Sequence, residues 1–140
     1  MIISHYQTNN VYELCDYLHI KILKNDLGQA TGVLHYYNAM PLIHINSKAN
    51  YKDYYIAYIL GYFFFNFNPD HSVLFDRLND EKSNVFASEL LLTDELLFTD
   101  LNTIKSLTIE EIANFFNLPI HAIRIKMNGV PNSKVIFSYL

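Results

Sequence analysis

A chain of 140 residues, 51% hydrophobic and 15% aromatic, carries enough apolar mass for one folded domain and excludes a disordered chain. Its net charge of -4 gives nucleic acid no general electrostatic reason to bind. The single cysteine, Cys15, excludes an internal disulfide and fits a reducing compartment, so a cytoplasmic protein is expected.

The opening residues MIISHYQTNN lack a basic region followed by an apolar run, and no signal peptide is expected. Thr8-Asn9-Asn10 offers N-caps to an amphipathic stretch, Val11, Leu14, Cys15 and Leu18, read as a helix ending near His19. Strands are expected over 19–24, 32–37 and 41–46, the last two joined by Asn38-Ala39-Met40, giving a small three-stranded antiparallel or mixed sheet. His35 and His44 fall in neighbouring strands and could approach each other. Two histidines without a third ligand or a nearby base make a poor metal site, so a structural or surface role is expected. His5, His71 and His121 are more isolated.

A central helix is expected over 49–66, starting at the Ser47–Asn50 junction and ending before Asn68-Pro69-Asp70. Its apolar run, 54–67, is shorter than the ~18 to 20 residues of a membrane span. Residues 69–79 read as a surface connector. Asn79 or Asp80 then caps a helix to about Leu92, with Phe86, Ala87, Leu90 and Leu91 turned inward. Thr108 and Glu111 form a capping box opening a helix over 110–116, Asn117-Leu118-Pro119 breaks it, and a second helix resumes over 120–127. Its exposed polar groups are expected to be His121, Arg124 and Lys126, too few phosphate contacts for a DNA reader. A turn at 129–132 and a short strand over 134–139 close the chain. The aromatic surplus of 11 Tyr and 10 Phe must be buried or used at an interface.

The central helix has the frame of a zinc-peptidase helix without its chemical residues. HExxH supplies two His ligands one turn apart and a Glu base. That frame reads Tyr58-Ile59-Leu60-Gly61-Tyr62 here. A phenol ionises about 3.5 units above imidazole, and isoleucine cannot take a proton. Downstream, Asp80-Glu81-Lys82-Ser83-Asn84-Val85-Phe86-Ala87-Ser88-Glu89-Leu90-Leu91 resembles the second helix of the ImmA/IrrE family of metallopeptidase-like proteins, where an acidic residue and then Phe-Ala-x-Glu-Leu-Leu follow an AHELGH helix. Against AHELGH the chain offers Ala57, Tyr58, Ile59, Leu60, Gly61 and Tyr62. The family's third metal ligand then falls on Asp80 or on Glu81, and Asp80 reads equally as a helix N-cap.

The resemblance covers most of residues 10–128. It implies one α+β domain: a small three-stranded sheet packed on the metallopeptidase-like helix within a core over 1–100, a C-terminal helical hairpin over 101–128, and a tail over 129–140. Leu60, Phe64, Phe86, Leu90 and Ile43 are expected in the core. Tyr58, Ile59 and Tyr62 should fill the former metal site, with no metal and no cofactor. The family includes proteins of phages and integrative elements that act on helix-turn-helix repressors and relieve repression by cleavage. The resemblance therefore implies a protein partner, probed by Tyr58 and Tyr62 in the cleft and by Arg124 and Lys126 on the hairpin, and held without cleavage. The alternatives are an active metallopeptidase with atypical ligands and a small DNA-binding regulator using the hairpin.

Overall fold

The computed structural model describes residues 10–128. The expected terminal strand over 134–139 and His5 lie outside them. Helix α1 (Val11–Tyr17) begins where the Asn10 side chain accepts hydrogen bonds from the Tyr12 and Glu13 amides, and buries Val11, Leu14 and Cys15. His19, at φ 58, reverses the chain into β1 (Lys21–Asn25). Strands β2 (Gly32–Tyr37) and β3 (Met40–Asn46) form a hairpin whose two turn residues, Asn38 and Ala39, both adopt positive φ, as a tight right-twisted hairpin requires.

Among the described residues the sheet has four strands, not three. Its order is β1-β3-β2-β4, with β1 parallel to β3 and the other pairs antiparallel. The fourth strand, β4 (Val73–Phe75), lies within the stretch read from sequence as a surface connector. Phe75 is what makes it a strand. Its ring is buried edge-on against Tyr58 and Tyr62, at centroid distances of 5.9 and 5.1 Å, so the segment is anchored by aromatic packing that no local pattern announces.

Helix α2 (Lys52–Phe65) crosses the inner face of the sheet. It starts later than the Ser47–Asn50 junction because Tyr51 is left-handed, at φ 56, and the Asn46 amide ties the preceding turn to the carbonyls of Gly28 and Ala30. Every residue from Ile56 to Gly61 is buried, the signature of a helix enclosed on all sides. Ile59 packs beneath Gly32, where an added Cβ would lie 2.6 Å from its Cδ1.

Helix α3 (Glu81–Leu91) packs along the far side of α2. Gly61 permits the approach: a Cβ there would sit 2.8 Å from the Phe86 ring, so the glycine accommodates α3. After Thr93 the chain forms α4 (Asp94–Thr99) and α5 (Leu101–Ile104), two elements that sequence pattern left unassigned. The capping box then opens α6 (Ile109–Phe116), and left-handed Asn117 turns the chain into α7 (Ile120–Asn128), which packs on α3.

Leu60, Leu90 and Ile43 lie in the core as expected, and Phe86 is half-buried. Phe64 corrects the expectation, being 37% exposed. It sits on the last turn of α2, with its ring against Phe63 and Phe86. Lys126 corrects it in the opposite direction. Instead of facing solvent it is 1% exposed, with Nζ 2.8 Å from Glu89 Oε2 on α3 and 2.7 Å from Asp94 Oδ1 on α4.

Candidate partner-binding cleft

A cleft of about 460 Å³ opens between α2, β4 and the start of α3. Tyr58 and Tyr62 form one wall, β4 another, and Asp76, Arg77, Asn79 and Asp80 its polar side. Spacing on the helix explains the first wall, since residues four apart share a helix face. The polar side comes from the segment joining β4 to α3.

Tyr58 has a buried ring and a committed hydroxyl, whose oxygen accepts a hydrogen bond from the Asp80 amide at 2.8 Å. Burial is the main reason its phenol titrates above the usual tyrosine value, so it is a neutral group at physiological pH. Tyr54, one turn earlier, donates to Asn84 Oδ1 at 2.8 Å, and burial pushes its phenol up to about 12. Asn84 in turn donates to the Leu78 carbonyl. This chain of bonds pins the start of α3 against α2.

Asp80 is the N-cap of α3. Its Oδ2 accepts from the Ser83 amide at 3.0 Å and from the Ser83 hydroxyl. Glu81, the competing candidate for a ligand position, is exposed in the first turn of α3 and is not among the residues lining the cleft. Ile59 does not line it either, being turned toward Gly32 and the sheet. Of the three helix positions singled out in the sequence, the fold brings Tyr58 and Tyr62 to one wall and sends Ile59 elsewhere.

This donor set does not fit a zinc ion, which takes thiolate, imidazole and carboxylate ligands in a tetrahedral array. Two tyrosine side chains and a carboxylate already bonded to Ser83 supply no such array. Among the described residues no group of three or more His, Cys, Asp or Glu side chains is placed to hold a metal. His35 and His44 do approach each other, with ring centroids 6.1 Å apart on the outer face of the sheet. His35 Nδ1 lies 2.8 Å from Ser72 Oγ, and Asn25 Nδ2 lies 3.4 Å from His44 Nδ1, so each ring is held by a neighbouring polar side chain.

A family model described as the IrrE N-terminal-like domain matches residues 15–128. The chain belongs to the ImmA/IrrE family. It is 39% identical, over 148 aligned positions covering 99% of this chain and 87% of the relative, to the Bacillus subtilis (strain 168) protein named Metallopeptidase ImmA. No solved structure matches it significantly. The α+β architecture, with its central helix between sheet and α3, is the fold of this ImmA/IrrE chain.

Sequence reasoning missed β4, Asp76 and Arg77 as parts of the cleft. The signal available was the three-residue apolar run Val73-Leu74-Phe75 between polar flanks, too short to separate from loop by periodicity. The proposed hairpin contacts divide. Arg124 is exposed on α7, and Lys126 is enclosed between α3 and α4; neither lines the cleft. No described helix is long and apolar enough to cross a membrane.

Proposed function

We propose that this ImmA/IrrE-family chain is a catalytically silent metallopeptidase-like protein that binds a regulatory protein in the cleft and controls it without cutting it. The observation that carries this reading is the occupation of the wall facing β4 by Tyr58 and Tyr62, with the Tyr58 hydroxyl spent on the Asp80 amide. A metal-dependent hydrolase needs a Lewis acid that lowers the pKa of a bound water to about 7. The tyrosine wall offers such an ion no usual ligand, and of the two carboxylates lining the cleft, Asp76 and Asp80, the second already accepts from Ser83, which supports the reading.

The recognition surface has a physical basis of its own. Among the described residues the sheet order puts β4 at an edge, with one side paired to β2 and its residues bordering the cleft. A strand edge beside a cleft suits an extended segment, which gains main-chain hydrogen bonds from the strand and side-chain contacts from the opposite wall. Exposed Leu74 and the Tyr62 ring offer those contacts. The partner class rests on the family resemblance: a helix-turn-helix regulator of a phage or mobile element. The rival reading, DNA binding by the α6–α7 hairpin, loses support from Lys126. With that lysine ion-paired and buried, Arg124 is the one exposed Lys or Arg on α7.

The test is co-expression with a candidate helix-turn-helix regulator from the same genome, followed by co-purification, intact-mass measurement of the regulator, and zinc analysis. A stable complex with an uncut regulator is expected, weakened at least tenfold by Leu74→Asp or Tyr62→Ala in folded protein. A shortened regulator together with one zinc per chain would refute the silent-enzyme reading. Equal affinity in both variants would move the binding site out of the cleft.

A further inference from the structure

The cleft between α2 and β4 holds hydrogen-bond donors that the fold does not use. Tyr62 is half-buried on its wall, and the Phe75 ring packs edge-on against it at 5.1 Å, so packing fixes the ring. Among the described residues its hydroxyl has no hydrogen-bond partner. Tyr58, one turn earlier on the same face, is 1% exposed, and its oxygen accepts from the Asp80 amide at 2.8 Å. A phenol has one hydrogen to donate as well as lone pairs to accept with, so that bond leaves the hydrogen unused. Arg77 lines the same cleft with donors only, and among the described residues it has no ion pair.

We propose that the Tyr62 hydroxyl is a specificity-determining donor, which takes an oxygen acceptor on the segment that the cleft binds. This inference rests on the reading of the cleft as a partner-binding site and names what that site recognises. Burial supplies the selection. A half-buried hydroxyl loses its remaining water when a segment covers the cleft, and a donor left without a partner there costs about as much as a hydrogen bond yields. The segment that binds is therefore one that brings an acceptor to the tyrosine wall. Ring contact alone does not select in this way, since any apolar side chain satisfies it.

Two sources share this chemistry, a main-chain carbonyl of the segment and a side-chain carboxylate. Arg77 would strengthen a bond to the carboxylate far more than one to the carbonyl. Asp76 and Asp80 line the same polar side and repel an anion, so the carbonyl is the expected source.

The probe is a displayed library of random linear peptides selected on the immobilised full chain, with recovered peptides titrated by fluorescence polarisation. Their affinity should fall at least tenfold on Tyr62→Ala, which tests the cleft, and about 2- to 10-fold on Tyr62→Phe, which removes only the hydroxyl. The thermal midpoint of Tyr62→Phe should match that of the native protein, because the hydroxyl bonds nothing within the described fold. An acidic residue common to the recovered peptides, with a further loss on Arg77→Gln, assigns the acceptor to a carboxylate; peptides that share no such residue assign it to the main chain. Native affinity in Tyr62→Phe with a loss in Tyr62→Ala overturns the role of the hydroxyl and leaves the cleft reading standing. Unchanged affinity in both variants, or no peptide recovered, removes the cleft reading and this inference together. A lowered thermal midpoint in Tyr62→Phe also overturns the inference, since the hydroxyl would then serve the fold.

Discussion

Removing both acidic partners of Lys126 should unfold the protein far more readily than removing the lysine. Nζ sits between Glu89 and Asp94 at 2.8 and 2.7 Å, with the lysine side chain 1% exposed and the two carboxylate side chains 44% and 30% exposed. In Glu89→Gln/Asp94→Asn a buried ammonium loses both counter-charges, and a broken buried pair costs about 3–5 kcal/mol. For a chain of this length, at roughly 3 to 5 °C per kcal/mol, the thermal midpoint should fall by roughly 10 to 20 °C. Each single variant keeps one counter-charge and should lose about 1–2 kcal/mol, because the remaining carboxylate still compensates the lysine. Lys126→Met removes the buried charge itself and keeps the volume. It leaves two partly exposed carboxylates, of which only Asp94 Oδ1 is buried, so its loss should be smaller than that of the double variant. Urea unfolding of the four variants at neutral pH measures the order. If Lys126→Met proves the most damaging, or the double variant loses under about 1 kcal/mol, the lysine is not held as a compensated buried charge and the docking of α7 onto α3 and α4 needs another explanation.

Tyr58→Phe should cost about 1–3 kcal/mol, since it leaves the Asp80 amide without the oxygen that accepts its hydrogen bond, and chemical denaturation reads this directly. Gly61→Ala gains about 1 kcal/mol of helix propensity but drives a methyl to 2.8 Å from the Phe86 ring at an overpacking cost of about 1–3 kcal/mol; a net loss of about 1 kcal/mol is expected, reversed when Phe86→Leu is added. Alkaline pH should destabilise the fold. Burial raises the Cys15 thiol from 9.0 to about 12, so its contribution is fully present below pH 9 and is lost between pH 9 and 12 as the unfolded thiol ionises first; Tyr54 adds to this above pH 10. A Cys15→Ala variant should show a shallower decline of the thermal midpoint above pH 9, and native Cys15 should resist alkylation that proceeds freely in urea.

Much of this protein is local, and the local part was legible without a fold. The bounds of β2, the Asp80 cap, the Thr108–Glu111 capping box and the break at Asn117 follow from side chains acting within a few residues of themselves, where spacing and chemistry decide the outcome. The tyrosines at positions 58 and 62 were legible as one wall for the same reason. Tertiary structure alone decided what depends on partners distant in sequence. Parallel pairing of β1 with β3, the recruitment of Val73–Phe75 as an edge strand, and the identity of the ring that Gly61 accommodates each rest on contacts between elements far apart in the chain. Lys126 shows the difference most sharply. On its own helix it reads as a solvated cation, and it becomes a buried structural residue because the fold brings carboxylates from α3 and α4 within 3 Å of it, lifting the penalty that would otherwise keep it in water.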